Sequence, residues 1–280
     1  MPAKEAAEPA GYVARLIRFV GLSLAQLVRS PTHSRRAEAG RHWARRSLGL
    51  TLVAAAAILA LMFVIDAYEI ALMPPRGTEW LWPVRSITAF GKSEYVLWAL
   101  FAGLVLVALA APRLHGLSRA TLASFGTRLQ YVFFSVLFAV LVGELLKGVI
   151  GRGRPFVGGE ANPFNFQPFA WSETYASFPS GHATTAFALA FAVSALWPRL
   201  RTVMFVYALV IIGSRLLLLA HHPSDVVGGA LNGVIGAMAV RYWFAARHLA
   251  FTIHRDGRIE PLTGPSAEHL KRVARGVIAP

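Results

Sequence analysis

Apolar residues in this chain are gathered into blocks that run for 17 or 18 residues without a charge, at 95–111 and 48–65. A helix needs about 20 mainly apolar residues to cross the hydrocarbon core of a bilayer, so each block with its flanks predicts a spanning helix. Hydrophobic residues make up 55% of the chain and charged residues 15%, and the mean hydropathy is +0.51. This composition excludes an ordinary soluble domain.

Six mainly apolar segments can be assigned, which predicts an all-α, polytopic membrane protein built as a bundle of six transmembrane helices. The predicted spans are 48–65, 95–111, 129–150, 183–197, 202–220 and 226–244. The domain boundaries that follow are a basic, amphipathic N-terminal segment at 1–47, a six-helix membrane domain at 48–247 and a cytoplasmic C-terminal tail at 248–280. Within the first segment, residues 11–29 fit an amphipathic helix on the inner membrane surface, with a solvated basic tail as the alternative.

The distribution of basic residues predicts the orientation of the bundle. With both termini in the cytoplasm, 21 Lys and Arg residues fall on the inner side and seven on the outer side. Cytoplasmic flanks of membrane spans are enriched in Lys and Arg, so the loops after spans one, three and five are expected to face outward. The chain is therefore predicted to lie in the cytoplasmic (inner) membrane. A functional site formed at the outward ends of these spans would face the periplasm.

Composition also narrows the possible partners and cofactors. There is no cysteine, so disulfides, thiolate metal sites and a cysteine nucleophile are excluded. The formal charge of +14 is expected to orient the chain and to contact anionic lipid rather than nucleic acid. No grouping of His, Asp and Glu indicates a metal, and no cofactor is expected.

Three clusters of polar residues fall at the predicted outward ends of spans three, four and five. They are Lys147-x6-Arg154-Pro155, then Pro179-Ser180-Gly181-His182, then Ser214-Arg215-x5-His221-His222-Pro223-Ser224-Asp225. Each has a purely structural interpretation, since a lysine can snorkel to the interface and Ser180 and Asp225 are good N-caps for spans four and six. Their convergence, and the cost of placing Arg215 in an apolar helix, favour an anion site instead.

The residue types in these clusters fit phosphoryl transfer. Lys147, Arg154 and Arg215 can bind phosphate oxygens, while Ser180, Gly181 and the start of span four supply a hydroxyl, close backbone approach and free N–H groups. A neutral histidine can attack phosphorus, and Asp225 can hold that imidazole in the correct tautomer. His182 is then left to protonate the leaving oxygen and to activate water. The chemistry by itself does not choose between the neighbouring His221 and His222.

The three clusters together resemble the signature motifs of the type 2 phosphatidic acid phosphatase (PAP2) superfamily, in particular its bacterial membrane lipid phosphatases. The resemblance covers roughly residues 48–244 and implies a six-helix membrane phosphatase that works through a phosphohistidine. By this resemblance His221 is the nucleophile, Asp225 its partner and His182 the acid. The phosphate ligands are Lys147, Arg154, Ser180, Gly181 and Arg215. His222 is then expected to face the interface or a neighbouring loop.

Several points stay open at this level. The expected substrate is a membrane lipid phosphate or diphosphate of the phosphatidic acid, phosphatidylglycerophosphate, undecaprenyl diphosphate or lipid A type. Transfer of the phosphoryl group to another lipid and a non-catalytic lipid-binding or transport role are the alternatives. The motifs also resemble those of the soluble vanadium haloperoxidases, but the apolar spans argue against a soluble protein.

Two local features are also predicted. Glu144 is expected to pair with Lys147. The aromatic residues of the loop at 151–178 fit an interfacial belt, or else a gate for the lipid headgroup.

Overall fold

A computed structural model describes residues 11–75, 77–158 and 162–278, so residues 1–10 of the predicted N-terminal segment lie outside the described part. The described chain is mainly helical, with ten α-helices and one two-stranded sheet. The predicted helical class is therefore confirmed.

The chain begins with two helices. Helix α1 covers Tyr12–Val28, which confirms a helix at 11–29, and its Val13, Ile17 and Val28 side chains are exposed, as contact with lipid requires. The Trp243 indole donates to the Leu27 carbonyl at 3.0 Å and so ties α1 to the main bundle. Helix α2 covers Arg36–Val64 and begins twelve residues before the predicted first span.

Two short helices and five long ones follow. The short helices α3 (Asp66–Leu72) and α4 (Trp82–Thr88) form the connection to α5 (Ser93–Ala110). The remaining bundle helices are α6 (Gly116–Ile150), α7 (Gly181–Leu196), α8 (Arg201–Leu217) and α9 (Pro223–Ala246).

All six predicted spans thus fall on α2, α5, α6, α7, α8 and α9. Four of these, α2, α5, α6 and α8, are long and apolar enough by length and composition to cross a membrane, and α7 is a shorter apolar helix. Multi-pass insertion is supported, while the count of six spans stays a prediction.

Helix α7 lies at the centre of the bundle because small residues let its neighbours approach closely. Its buried side chains are largely alanines, and α9 faces them with glycines. A Cβ added at Gly233 would stand 2.8 Å from the Ala188 backbone nitrogen, and one at Gly236 would stand 2.8 Å from the Ala139 Cβ. Such spacing of small residues is how membrane helices gain van der Waals contact without a hydrophobic driving force between them.

The region expected as a C-terminal tail is folded. Strands β1 (Phe251–Ile253) and β2 (Ile259–Pro261) pair antiparallel in the register Thr252 to Glu260. Helix α10 (Ala267–Ile278) packs on α6, with Val273 buried in a cluster at the end of α5. Both elements lie at the end of the bundle that contains the C-terminus of α9.

Candidate active site

The three motifs meet at one end of the bundle because successive helices run in opposite directions. The C-terminal turns of α6 and α8 carry Lys147 and Arg215, and the N-termini of α7 and α9 carry His182 and Asp225. Helix α6 stops at Gly151, which has φ +59°, and its N–H bonds the Lys147 carbonyl at 2.9 Å. Glycine adopts this left-handed cap without a Cβ penalty.

His221 lies in the turn between α8 and α9 with only 3% of its surface exposed. Its Nδ1 is 2.9 Å from the carbonyl oxygen of Ser177. A carbonyl can only accept, so Nδ1 carries the hydrogen and the lone pair is on Nε2. Burial lowers the pKa of His221 to about 4, against the negative charge of Asp225, which raises it. The ring is therefore neutral at physiological pH, with a free lone pair on Nε2.

Asp225 is fully buried and bonded on both oxygens. Its Oδ2 accepts from the Ser177 hydroxyl at 2.6 Å and from the His222 backbone N–H at 2.8 Å, and its Oδ1 accepts from Arg152 at 2.6 Å. The His221 Nδ1 is 3.8 Å from Oδ2, longer than a hydrogen bond. Ser177 therefore links the two, through its carbonyl to His221 and through its hydroxyl to Asp225.

His222 does not face the interface or a neighbouring loop, so that expectation was wrong. It is fully buried, and its Nδ1 is 3.1 Å from Asp225 Oδ2. It is the N-cap of α9, with Asp225 at N3 completing a capping box and Pro223 at N1. Asp225 therefore lies at N3 of α9, and not at the N-cap position that the purely structural interpretation gave it. Proline favours the first helical position because its missing N–H has no partner there, which moves the cap back to His222.

Positively charged side chains surround the start of α7. We call Lys147, Arg154 and Arg215 the cationic cradle. The Lys147 Nζ stands 3.1 Å from where a Cβ at position 181 would be, so a larger residue there would displace the ammonium by a few tenths of an ångström. Lys147 also pairs with Glu144 at 2.6 Å, which confirms the predicted local pairing. Ser180 precedes the first residue of α7 but makes no side-chain cap.

Two polar atoms beside this cradle are buried with no hydrogen-bond partner among the described residues. They are the Ser180 hydroxyl oxygen and His182 Nε2, and His222 Nε2 at the start of α9 is also buried without a partner. Buried polar atoms are nearly always bonded, so two adjacent exceptions require an explanation such as a ligand. The charges of Arg215, Lys147 and Lys92 and the ring of His221 all lie close enough to His182 to act on it.

The other two cations, Arg215 and Arg154, are held by residues of neighbouring segments. Arg215 donates to the Thr88 hydroxyl at 3.0 Å, which ties α8 to α4. Arg154 donates to the Glu173 carbonyl at 2.9 Å and pairs with its carboxylate at 3.2 Å. The charge of Arg154 acts on His221. The structure thus brings the predicted site residues to one end of the bundle, with Arg154 at the rim.

Arg152 is a residue whose role the sequence did not predict. It is 1% exposed, and its guanidinium binds Asp66 at 2.8 Å, Asp225 at 2.6 Å and the Ser224 hydroxyl at 2.6 Å. Two further donors bind the Pro163 carbonyl at 2.8 and 3.0 Å. Asp66 also accepts from the Ser224 hydroxyl and backbone N–H. We call Asp66, Arg152, Ser224 and Asp225 the buried ion-pair chain.

The sequence contained a weak signal for the buried ion-pair chain. Arg152 is a second outward arginine in Gly-Arg-Gly-Arg, against the orientation bias. Asp66, Ser177 and Thr88 lie in irregular or short segments with no periodic pattern, so nothing local marked them.

The aromatic loop side chains are largely solvent-facing or lipid-facing. Phe169 and Trp171 are 65% and 63% exposed, and both adopt positive φ. This exposure fits an interfacial belt, and the gate stays a prediction. Among the residues that the structure describes, no group of three or more His, Asp or Glu side chains could hold a metal ion.

Comparison with known proteins identifies relatives for nearly the whole chain. A model of the PAP2 superfamily matches residues 128–249. A lipid A 1-phosphatase from Rhizobium johnstonii is 30% identical over 249 residues, covering 84% of this chain and 96% of the relative. Phosphatidylglycerophosphatase B from Escherichia coli is 39% identical over 102 residues, covering 35% of this chain and 36% of the relative.

One solved structure is also similar. It is a transmembrane PAP2 type phosphatidylglycerolphosphate phosphatase from Bacillus subtilis, at 22% identity and a TM-score of 0.41. The match covers 69% of this chain and 91% of that structure.

Proposed function

Because the chain belongs to the PAP2 superfamily and is a multi-pass membrane lipid phosphatase, we propose that it hydrolyses the phosphomonoester of a lipid A type glycolipid. The similarity to a lipid A 1-phosphatase, which covers 84% of this chain and 96% of that relative, supports this substrate over the other lipid phosphates. The proposed site faces the periplasm, in accord with the charge asymmetry of the loops.

The observation that carries the proposal is the pair of unbonded buried atoms beside the cradle. A phosphate at the start of α7 would accept from the Ser180 hydroxyl, from Lys147 and Arg215, and from the free N–H groups of the first turn. Arg154 at the rim would complete the charge. Preorganised donors of this kind stabilise the charge that develops on the equatorial oxygens during phosphoryl transfer.

The proposed mechanism follows from the hydrogen positions. His221 Nε2 attacks phosphorus, while its Nδ1–H stays on the Ser177 carbonyl. His182 enters the step as the protonated imidazolium and gives its proton to the leaving lipid oxygen. The P–O bond breaks to leave a phosphohistidine and a neutral His182. His182 then takes a proton from water, the hydroxide attacks phosphorus, and the P–N bond breaks to release inorganic phosphate. Asp225 and Ser177 stabilise the cationic ring between the two steps.

Variants of the paired histidines test this assignment. We expect His221→Ala to lower turnover by several orders of magnitude and Asp225→Ala to leave weak residual activity. His222→Asn should retain turnover per folded molecule, because its role is to cap α9. Purified protein in detergent would be assayed for phosphate release from lipid A, with an acid-labile phosphoenzyme trapped and mapped. A phosphate mapped to His222 would refute the assignment.

The same assay separates the proposal from its alternatives. Phosphate release with no acceptor lipid present is expected for a hydrolase, whereas a phosphotransferase requires the acceptor. Activity should survive a chelator and be inhibited by vanadate, because the cradle supplies its positive charge from Lys147, Arg154 and Arg215. Strict dependence on an added divalent metal would contradict this mechanism.

A further inference from the structure

Two adjoining cavities lie at the end of the bundle opposite the candidate active site. Their volumes are about 450 and 770 Å³, and both are lined by Phe191, Val234, Arg241, Ile259 and Glu260. Helix α7 has 16 residues and is therefore about 24 Å long, less than the roughly 30 Å of a hydrocarbon core. The sheet of β1 and β2 lies beyond its end and forms one wall, which leaves open space between the helices.

The cavities carry a surplus of positive charge. Arg46 lines the smaller cavity, Arg201 the larger and Arg241 both. Within the described ranges, neither Arg46 nor Arg201 forms an ion pair. Arg241 donates to the Ile259 carbonyl, but its Nε is buried with no partner among the described residues. The acidic residue of the lining, Glu260, is held by His254 at 2.9 Å.

The cavity walls change from charged to apolar with distance from the arginines. A phospholipid has the same arrangement, with an anionic headgroup followed by apolar acyl chains. Arg46 lies one helical turn before Leu50 on α2, at the point where the apolar run of that helix begins. Beyond it the walls are apolar, with Met238 in the smaller cavity and Phe187 and Phe205 in the larger. A soluble anion would use the arginines and leave the aromatic walls empty, whereas a lipid would use both.

We propose that these joined cavities bind an anionic phospholipid of the leaflet opposite the active site. Its phosphodiester would lie between Arg46 and Arg241, with Arg201 at the second cavity, and its acyl chains would follow Phe187, Phe191 and Phe205. Basic pockets at the cytoplasmic ends of membrane helices recognise headgroups in this way. A diester lipid at this end would be a bound ligand and not a substrate.

The test uses the full chain purified in a neutral detergent. Native mass spectrometry and thermal melting would be followed during titration with phosphatidylglycerol, with phosphatidylethanolamine, and with the soluble headgroup glycerophosphoglycerol. We expect saturable binding and a raised melting temperature with phosphatidylglycerol alone. The double variant Arg46→Gln, Arg201→Gln should bind it about tenfold more weakly or worse, because one of the two cations at the phosphodiester and the cation of the second cavity are both removed.

The matched control is the double variant Arg45→Gln, Arg199→Gln. These exposed arginines are sequence neighbours of the first pair at the same end of the bundle, but they do not line either cavity. The control should bind phosphatidylglycerol like the unaltered protein. Equal weakening in both double variants would refute a specific site in favour of general surface charge. Equal binding of phosphatidylethanolamine, or of the soluble headgroup, would refute an anionic lipid ligand. The readout involves no phosphate release, so it stands or fails separately from the proposed function.

Discussion

Replacing Arg152 by methionine should damage both stability and catalysis, because the buried ion-pair chain is built around that guanidinium. The change keeps an apolar stem of similar length but removes every hydrogen bond of the guanidinium head. Asp66 and Asp225 are both fully buried and would then face each other without the cation between them. Removing one partner of a buried ion pair costs about 3–5 kcal/mol, a large part of a typical stability of roughly 5–15 kcal/mol.

A double-mutant cycle distinguishes this explanation from a general packing defect. Asp66→Asn removes one of the two carboxylates that Arg152→Met leaves unpaired, so the double variant should lose clearly less than the sum of the single losses. A coupling of about 1–3 kcal/mol is expected for groups in one network. Melting in detergent measures the stability, and turnover per folded molecule at saturating lipid measures the catalytic loss. Turnover should fall even in molecules that remain folded, because Asp225 loses the partner on its Oδ1.

Two outcomes would refute this reasoning. If Arg152→Met melts and turns over like the unaltered protein, the buried ion-pair chain does not exist in the working enzyme. If the single losses are large but strictly additive, the arginine acts through packing and not through its charge on the two carboxylates.

The remaining predictions concern topology, pH and the cradle. For topology, a cysteine replacing exposed Ser172 should react with an impermeant reagent in intact cells and one replacing exposed Arg255 should not, the chain having no cysteine of its own; the reverse pattern would invert the predicted orientation. Burial, and then the charge of Asp66, raise the pKa of Glu69 to about 7, and both its oxygens lack a hydrogen-bond partner in the described structure. Because the pKa of Glu69 is higher in the folded than in the unfolded protein, the protonated side chain is fully tolerated below about pH 4.5, and stability is lost as the pH rises through 7. Glu69→Gln should therefore raise the melting temperature at pH 8 and hardly change it at pH 5. An equal increase at both pH values would contradict the pKa shift. Gly181→Ala should raise KM for the lipid and weaken vanadate inhibition at an unchanged melting temperature, because a Cβ there stands 3.1 Å from the Lys147 ammonium. An unchanged KM would contradict the placement of Lys147 in the cradle.

The helical membrane class and the places of the six long helices follow from local pattern. An apolar block long enough to cross a bilayer can satisfy its backbone there only as a helix or a closed barrel strand, and these blocks are far too long for a strand. The observed helices accordingly overlap all six predicted spans, with differences at the ends where polar residues such as those before Leu48 continue a helix. The motif residues could be named in advance because polar clusters fall at predicted helix ends and together resemble the PAP2 signature motifs. That resemblance, and not the chemistry alone, distinguished His221 from His222.

The contacts among those residues were decided by tertiary structure. Whether Asp225 touches His221 or His222 depends on where α9 begins, and Pro223 and the capping box place that point at His222. The link from His221 to Asp225 passes through Ser177, which lies 44 residues away in the chain. Asp66 and Arg152 meet across 86 residues of sequence. No periodic pattern records such pairings, because they arise only when α3, the loop after α6 and the start of α9 pack against one another and each buried charge must find a partner.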